Sequence, residues 1–307
     1  MRKMGNLEKV LRSGAFAVTS ECGPPRGADT EAVKKKGAFL KGYADAVNVT
    51  DNQTSVVRMS SFSASLVLKD MGFDPVMQMV CRDRNRIAIQ SDILGAAAWG
   101  INNLLCLSGD HQSFGDHPSA KNVFDIDSIQ LIQTVRLMRD EGKFISGEEI
   151  KGRPEIFIGC AENPFADPFE IRAMRLAKKA AAGAQFVQTQ CVFNVKKFEE
   201  WMEMVRDFGI HEKMFILAGI TPLKSLGMAR YMKTSVPGMD VPDELIKRLN
   251  GVPKEHVAEE GIKMCLEIIE QVRAIKGIAG IHIMAIEWEH KVPEIVEAAG
   301  LFPRPSI

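Results

Sequence analysis

Acidic and amide side chains stand directly after several short apolar runs of this sequence. In the segment 104–112, LLCLSGDHQ, an apolar run ends in a small residue, a glycine and Asp110. Such a run is typical of a buried strand that leaves a parallel sheet at its carboxyl end, where α/β proteins carry their chemistry. The residues that share this position are Glu21, Asp51, Asn52, Asp110, Glu162, Asn163, Gln190 and Glu287. Converging acids and amides can bind a polar heterocycle and place a proton donor beside it.

Glu21 is the strongest candidate for that proton donor. An apolar segment precedes it, and Cys22, Gly23 and Pro24 follow it. A carboxyl group that is partly desolvated and held near another acid has a raised pKa, and it can then donate a proton near neutral pH. The alternative is a structural carboxylate whose oxygens are satisfied by neighbouring groups.

Eight apolar segments alternate with helical segments along the chain, and these elements must position the strand-end residues. The predicted strands are 15–21, 46–50, 75–81, 103–107, 156–161, 185–192, 214–219 and 281–286. Strict βα alternation indicates a parallel sheet, and eight units over about 250 residues are typical of a closed (β/α)8 TIM barrel. We predict one such α/β domain over residues 1–307, with an open doubly wound sheet as the alternative. That alternative usually carries a GxGxxG loop after its first strand, whereas residues 22–26 read CGPPR.

Two helix starts are predicted from residues that cap helices. Asp127 or Ser128 can cap the helix that follows strand four. The dipeptide 167–168, Asp-Pro, reads as an N-cap followed by proline at the first helical position. The second helix is therefore expected to begin directly after Asp167.

Composition limits the class of protein. Thirty-nine basic residues balance thirty-nine acidic ones, which argues against a general binder of nucleic acid or of anionic membranes. No apolar run approaches the roughly 20 residues that span a bilayer, and residues 1–12 lack the apolar core of a signal peptide. We expect a cytoplasmic protein that binds neither nucleic acid nor membrane.

Neither the six cysteines nor the six histidines show the spacing of a metal or cluster site. The cysteines form no CxxC pair, so we expect buried free thiols in a reducing compartment and no iron–sulfur cluster on this chain. His111 and His117 share one loop without an evident third ligand, and His282 lies inside an apolar strand as a core histidine. We predict no metal site, and the absence of a GxSxG segment argues against nucleophilic hydrolysis.

Six segments together resemble the methylenetetrahydrofolate reductases. They are TSECGPPR (19–26), VNVT (47–50), LSGD (107–110), AENP with a later DP (161–168), AGAQFVQTQ (182–190) and AGITP (218–222). The resemblance runs in order along nearly the whole chain. It implies a (β/α)8 flavoprotein that passes a hydride from reduced flavin to methylenetetrahydrofolate and forms methyltetrahydrofolate. FAD is the implied cofactor, with FMN as the alternative, and a tetrahydrofolate is the implied substrate.

The resemblance also implies roles for individual residues. Glu21 matches the family's general acid, which assists opening of the imidazolidine ring, and Asp110 matches an aspartate that tunes both flavin and pterin. Thr189 and Gln190 match a Thr-Gln pair whose amide contacts folate. The family's flavin contacts map onto Thr50, Gln78, Ser108, Gly109, Asp110, Asn163, Asp167, Arg175, Lys178 and Lys179.

The sequence departs from the family pattern at five of these positions. Gln78 replaces a histidine on strand three, Ser108 replaces an arginine before Gly-Asp, and Asn163 replaces a tyrosine after strand five. Leu249 stands where an aromatic residue stacks on nicotinamide or folate, and Trp288 stands where an arginine meets the folate tail. The last two are therefore expected to contact substrate, although the loss of the aromatic and of two arginines disfavours direct use of NAD(P)H.

These departures look like those of family members from anaerobic one-carbon pathways. In such members the barrel works beside a small zinc- or iron–sulfur-containing subunit, and electrons arrive through protein partners. We therefore expect a partner subunit of this kind and an oligomeric assembly.

Two other functions are open from the residues alone. A (β/α)8 pterin-dependent methyltransferase would use similar acids and amides on methyltetrahydrofolate without flavin. A non-catalytic barrel would serve as a docking or electron-relay subunit, but the joint presence of Glu21, Asp110 and Gln190 argues against it. Yellow colour in the purified protein would separate the flavoprotein from both alternatives.

Overall fold

The computed structural model describes residues 4–307, in which eight parallel strands form a closed barrel in sequence order. The strands are β1 Ala17–Cys22, β2 Ala46–Val49, β3 Pro75–Val80, β4 Asn103–Leu107, β5 Phe157–Glu162, β6 Phe186–Cys191, β7 Phe215–Ile220 and β8 Ile278–Ile283. Pairing of β8 with β1 closes the sheet. The predicted single-domain (β/α)8 barrel is confirmed, and the doubly wound alternative is wrong.

Helices surround this barrel and connect its strands. They are α1 Asn6–Arg12, α2 Thr30–Leu40, α3 Ser61–Asp70, α4 Arg86–Ala98, α5 Ser128–Arg136, α6 Arg172–Ala182, α7 Val195–Asp207, α8 Leu226–Ser235, α9 Asp243–Asn250, α10 Val257–Ala274 and α11 Val292–Ala298. Asp127 caps α5 with a capping box, as predicted. Within residues 4–307, no helix is both long enough and apolar enough to cross a membrane.

Helix α1, which the sequence analysis did not predict, closes the amino-terminal end of the barrel. Its side chains Leu7, Val10 and Leu11 are buried, and they pack in one hydrophobic cluster with Phe157 and Phe186 of the barrel interior. This end of the barrel is therefore filled with apolar side chains.

The barrel interior changes from apolar to polar along its axis. Near α1, the ring of Phe186 fills the space beside Gly159, where a Cβ atom would overlap it. Closer to the carboxyl ends of the strands, the inward-facing side chains are polar, namely Thr19, Asn48, Gln188 and His282. Branched apolar residues dominate most barrel cores of this kind, so this polar level indicates a binding site above it.

Most predicted strand bounds agree with the structure within one or two residues, but β8 is displaced. It covers Ile278–Ile283 rather than 281–286, so residues 284–288 form a loop above the barrel, and a 3-10 turn, Glu289–Lys291, follows it. The register with β1 sets this position, because Ala17 pairs with Gly280.

The predicted start of α6 at residues 167–168 is wrong. The Asp167–Pro168 peptide bond is cis, a short 3-10 turn follows, and α6 begins only at Arg172. The Arg172 side chain donates hydrogen bonds back to the carbonyl oxygens of Ala166 and Asp167. Residues 167–168 therefore belong to a turn before α6, and Arg172 at the start of α6 stabilises this turn through these hydrogen bonds.

The predicted buried free thiols are confirmed, because all six cysteines are buried and unpaired. Burial raises the pKa of Cys22, Cys81, Cys160 and Cys265 to about 12. A thiol with such a pKa stays protonated at neutral pH and is a poor nucleophile.

Removal of the Arg304 side chain should destabilise the amino-terminal end of the barrel. Arg304 donates to both carboxylate oxygens of Asp45, at 3.1 and 2.6 Å, and to the carbonyl oxygen of Phe16 at 2.6 Å. The Asp45 side chain is fully buried. We expect Arg304→Ala to lower the free energy of unfolding by about 2–3 kcal/mol. This loss is somewhat smaller than for a buried charge left without any partner, because Asp45 still accepts a hydrogen bond from the backbone N–H of Val18.

Denaturant unfolding measures this loss, and Arg86→Ala is the matched control. Arg86 also pairs with an aspartate, Asp125, but its side chain is 48% exposed. An exposed pair contributes about 0–1 kcal/mol. Equal losses for the two arginine variants would show that the buried pair with Asp45 has no special role.

Candidate functional site

The carboxyl ends of the strands open into a pocket of about 390 Å³. Ten predicted site residues line it, namely Glu21, Thr50, Gln78, Ser108, Gly109, Asp110, Asn163, Lys179, Thr189 and Gln190. Its volume lies within the range of small-molecule sites, about 300–1,000 Å³. The structure thus brings together in space residues from six separate strands and the loops after them, together with Lys179 of α6.

Glu21 stands on the wall of this pocket near the end of β1. Burial is the main cause that raises its pKa to about 7, repulsion by Glu289 adds to the rise, and Lys36 opposes it. Lys36 extends from α2 to the loop after β8, where its Nζ lies 3.1 Å from Glu287 and 3.0 Å from Glu289. A carboxyl group with this pKa is about half protonated at neutral pH, which suits a general acid.

Removal of the Glu289 charge and removal of the Lys36 charge should move the pKa of Glu21 in opposite directions. Glu289→Gln removes a negative charge, and we expect the Glu21 pKa to fall from about 7 towards 4.5. Lys36→Met removes the opposing positive charge, and we expect the pKa to rise above about 7.

Carbon NMR titration of the glutamate carboxyl groups measures this pKa, with Glu21→Gln to assign the signal. Glu31→Gln is the control, because Glu31 is exposed on the same helix and pairs with Lys34. A shift of the same sign in the Glu289 and Lys36 variants would contradict the electrostatic explanation.

Two other strand-end acids are neutralised by cations, one partly buried and one buried. Asp51 accepts from Arg84 at 2.6 and 3.2 Å and from the backbone N–H of Val80 at 3.0 Å. Glu162 accepts from Lys179 at 2.7 Å. Both acids therefore hold loops in place. Glu21 and Asp110, in contrast, form no direct salt bridge with any residue in 4–307.

Arg82 organises the loops around Asp110, and the sequence analysis did not select it as a site residue. Its buried guanidinium donates to Ser55 Oγ at 2.8 Å and to the carbonyl oxygens of Asp110 and Asn52 at 3.1 and 3.2 Å. It thereby joins the loops after β2 and β4 from its own position after β3. The polar segment 82–85 after an apolar run was the available signal, and it is the same signal that identified Asp110.

The loop after β2 has an unusual backbone beside the pocket. Asn52, Thr54 and Ser55 all have positive φ angles, at 44°, 57° and 59°. Such conformations in residues other than glycine cluster at ligand sites. At the neighbouring Gly109, φ is +89° and a Cβ atom would lie 3.0 Å from Val80 Cβ, so only glycine fits there.

One hydroxyl group in the pocket has no partner. Thr50 Oγ1 is buried and forms no hydrogen bond within the part of the chain that is described. A buried polar atom without a partner is rare and destabilising. A hydrogen bond from a ligand to this oxygen would offset the free-energy cost of its burial. Because the same oxygen is sealed from solvent, a ligand in the pocket reaches it only after a neighbouring side chain moves.

The pocket residues of β6 differ in how far they are available to a ligand. The Thr189 hydroxyl accepts from the backbone N–H of Gly219 and donates to the Gln190 carbonyl oxygen, each at 2.9 Å. This side chain therefore holds the irregular register between β6 and β7, and its hydroxyl is committed to the backbone. The amide of Gln190 has no hydrogen bond to another described residue and faces the pocket.

Five predicted site residues do not reach the pocket, namely Asp167, Arg175, Lys178, Leu249 and Trp288. Leu249 is fully buried in the main hydrophobic cluster, so its side chain cannot contact a ligand in this structure. Arg175 and Lys178 lie on the exposed face of α6, whereas the next residue, Lys179, points inward. Trp288 packs against the hydrophobic cluster beside the loop after β8.

Comparison with known proteins places the chain in a family. The family model for methylenetetrahydrofolate reductase matches residues 6–300. A probable NADPH-dependent methylenetetrahydrofolate reductase of Caenorhabditis elegans is 26% identical over 82% of this chain and 36% of its own length. Methylenetetrahydrofolate reductase 1 of Schizosaccharomyces pombe is 27% identical over 77% of this chain and 37% of its own length. The chain thus spans less than half the length of these two relatives.

A solved structure shows the same fold at low identity. It is an uncharacterized protein from Clostridium thermocellum that binds two copies of 5-methyl-5,6,7,8-tetrahydrofolic acid. The two structures align with a TM-score of 0.68 and 13% identity, over 96% of this chain and 100% of the other. Because the family model covers nearly the whole barrel, this chain belongs to the methylenetetrahydrofolate reductase family.

Proposed function

We propose that this protein reduces 5,10-methylenetetrahydrofolate to 5-methyltetrahydrofolate with a flavin cofactor. Family membership supports a folate-reducing oxidoreductase. The observation that carries the finer assignment is Glu21, an acid without a salt-bridge partner in residues 4–307, whose pKa is raised to about 7 at the wall of the strand-end pocket.

Glu21 has the protonation behaviour that the reaction needs. Protonation of the substrate's N10 by the carboxyl group breaks the bond between N10 and the bridging carbon, and it leaves an iminium at N5. A bound reduced flavin supplies the hydride for this carbon. Since Glu21 is about half protonated near pH 7, it can donate the proton and then recover it from solvent.

The flavin fits the side of the pocket that is formed by the loops after β2 and β4. Thr50 and Gly109 line the pocket on this side. Ser108 adds an exposed hydroxyl next to Gly109. We propose FAD as the cofactor, with FMN as the alternative, since both carry the same ring.

The folate fits the side formed by β1, β6 and β8. Glu21, Gln190 and Met284 face the pocket there, and Asp110 lies across from them at the end of β4. Acid, amide and thioether groups can together bind a pterin ring by its polar edge and its face. Binding of methyltetrahydrofolate by the Clostridium thermocellum neighbour supports a folate ligand here.

We also propose that electrons reach the flavin through a partner subunit. Among the described residues, the pocket lining holds no Phe, Tyr or Trp that could stack on a nicotinamide ring. The six cysteines of this chain are buried and dispersed, so a zinc or iron–sulfur centre would belong to the partner. Oligomeric assembly and a cytoplasmic location remain predictions.

The first experiment is an anaerobic visible spectrum of the protein after loading with FAD or FMN, before and after addition of methyltetrahydrofolate. We expect a flavin band that bleaches on addition, because the reverse half-reaction reduces the flavin and needs no electron donor. Absence of flavin binding under any loading would favour the pterin-dependent methyltransferase. A bound flavin that never bleaches would contradict the proposed substrate.

A further inference from the structure

Four buried polar side chains, the polar floor, lie one level below Glu21, namely Thr19, Asn48, Gln188 and His282. Two of them, Gln188 and His282, line the pocket. Asn48 and Gln188 pair through both amide groups, because Asn48 Nδ2 donates to Gln188 Oε1 at 2.6 Å and Gln188 Nε2 donates to Asn48 Oδ1 at 3.0 Å. Gln188 uses its second N–H for Thr19 Oγ1, at 3.1 Å. The side-chain amide of Gln188 thus presents an N–H group, and no acceptor, to Thr19 of β1 and His282 of β8.

This arrangement determines which nitrogen of His282 carries the ring proton. Nδ1 lies 3.0 Å from Thr19 Oγ1 and 3.5 Å from the Gln188 amide nitrogen. The amide nitrogen cannot accept a hydrogen bond, so Thr19 Oγ1 is the partner of Nδ1, and the single hydroxyl hydrogen of Thr19 goes to the better of its two acceptors. The other acceptor within reach of the Thr19 hydroxyl, the carbonyl oxygen of Ile281, is farther away at 3.4 Å. Thr19 therefore donates to Nδ1, and the ring proton lies on Nε2.

The protonated nitrogen is the one left for a ligand. Nε2 has no hydrogen-bond partner among the described residues, and it is not one of the polar atoms sealed away from solvent. The ring itself lines the pocket. Burial lowers the pKa of His282 to about 3, so the ring stays neutral and keeps a single N–H at physiological pH.

We propose that His282 Nε2–H is a fixed hydrogen-bond donor that orients the pterin ring of the folate, and that Thr19 and Gln188 hold this tautomer in place. This inference rests on the proposed function and goes beyond it, because it separates two roles in the pocket. Glu21 transfers the proton, whereas His282 selects a ring edge that presents a carbonyl oxygen or an unprotonated nitrogen. A ring edge that presents only donors would leave the His282 N–H unpaired and would bind less tightly.

The tautomer can be read directly by nitrogen NMR of protein labelled at histidine, with His282→Gln to assign the signals. We expect the wild-type ring to show a protonated Nε2 and an unprotonated Nδ1. Thr19→Val should disturb this state, because it removes the hydroxyl that donates to Nδ1. Ser20→Ala is the matched control, since Ser20 donates to the Ile283 carbonyl oxygen and does not touch His282. A proton on Nδ1 in the wild-type protein would overturn the inference, because Thr19 would then accept from Nδ1 and donate to the Ile281 carbonyl oxygen, and Nε2 would carry no proton.

Ligand binding tests the second half of the inference. His282→Gln can place an amide N–H where Nε2 stands, and we expect it to keep methyltetrahydrofolate affinity close to wild type. His282→Leu should raise Kd and KM by about tenfold with little change in kcat, as expected for one lost hydrogen bond to a bound substrate. Flavin binding should stay unchanged in both variants and serves as the check that they fold.

The outcomes separate this inference from the proposed function. If wild-type protein binds methyltetrahydrofolate and His282→Leu binds it equally well, His282 is not a ligand donor and the proposed function stands. If wild-type protein with bound flavin does not bind the folate, the proposed function fails, and the donor role towards a pterin fails with it. Should His282→Leu not fold, Thr19→Val carries the same test, with weaker binding as the supporting result and unchanged binding as the overturning one.

Discussion

Replacement of Glu21 by glutamine should lower turnover of methylenetetrahydrofolate by about 10²- to 10⁴-fold, the usual contribution of a general acid. Glutamine has nearly the same shape and keeps the polar contacts of the wall, but it cannot release a proton. Flavin binding should therefore stay close to wild type, because the residues proposed to contact flavin follow β2 and β4, away from Glu21 on β1. Steady-state turnover and flavin titration of the same preparation measure the two effects.

The pH dependence of turnover is an independent test of Glu21 as the general acid. Because Glu21 must be protonated to act, turnover of the wild-type protein should fall as pH rises through its pKa of about 7. The Glu21→Gln variant should not show this fall in turnover. Glu287→Gln is the control, since Glu287 is an exposed acid near the same loop that pairs with Lys36, and it should keep the wild-type profile. Near-wild-type turnover in Glu21→Gln would remove the basis of the proposed mechanism.

The Glu21→Gln substitution should raise stability at high pH although it lowers activity. Folding raises the Glu21 pKa from 4.5 to about 7, so the native state binds more protons than the unfolded state between these two values. Stability therefore decreases as pH rises through this window, and the loss is complete above about pH 7. The Glu21→Gln variant has no carboxyl group to titrate at this position, so it does not lose stability in this window. Above about pH 7 it should therefore unfold at a higher denaturant concentration than wild type. A residue retained at the expense of stability is expected at a functional site.

The barrel was predictable because each apolar run is short and ends in polar residues. Strand β4 was placed correctly at both ends, since Asn103 and Ser108 bound its apolar run. Strand β8 was displaced because residues 278–286 contain only one polar side chain, His282, and nothing local marks which six pair with neighbours. Helix α1 was missed because its folding depends on Leu7, Val10 and Leu11 filling the end of a barrel that closes much later in the chain.

The site was only partly predictable, for a related reason. The position after a strand identified Glu21, Asp110 and Gln190, all of which line the pocket. It could not show which acids are neutralised, because the partner of Asp51 lies 33 residues away and that of Glu162 lies 17 residues away. The polar floor repeats the side-chain alternation of a strand, with Thr19 two residues before Glu21 and Gln188 two before Gln190. That alternation was the signal that could have revealed it.

The ion pair between Lys179 and Glu162 should have the largest effect on stability among the pocket residues. Their side chains are 8% and 2% exposed, and Lys179 Nζ donates to Glu162 Oε2 at 2.7 Å and to the Ala161 carbonyl oxygen at 2.5 Å. We expect Lys179→Met to lower the free energy of unfolding by about 3–5 kcal/mol, because it leaves a buried carboxylate without its cation. Lys178→Met, at the exposed neighbouring position, should change stability by less than about 0.5 kcal/mol.

The double variant Glu162→Leu with Lys179→Met decides what this pair does for the pocket. Replacement of both members of a buried pair by apolar residues of similar size is often neutral, so we expect stability to return most of the way to wild type. Since Lys179 already satisfies two protein acceptors, we further expect the double variant to bind flavin nearly as well as wild type. Denaturant unfolding and flavin titration measure the two quantities. A stable double variant that no longer binds flavin would instead show that the third ammonium hydrogen of Lys179 bonds to the cofactor, as the family resemblance implies. A double variant as unstable as Lys179→Met would show that the loss comes from packing around α6 rather than from the stranded charge.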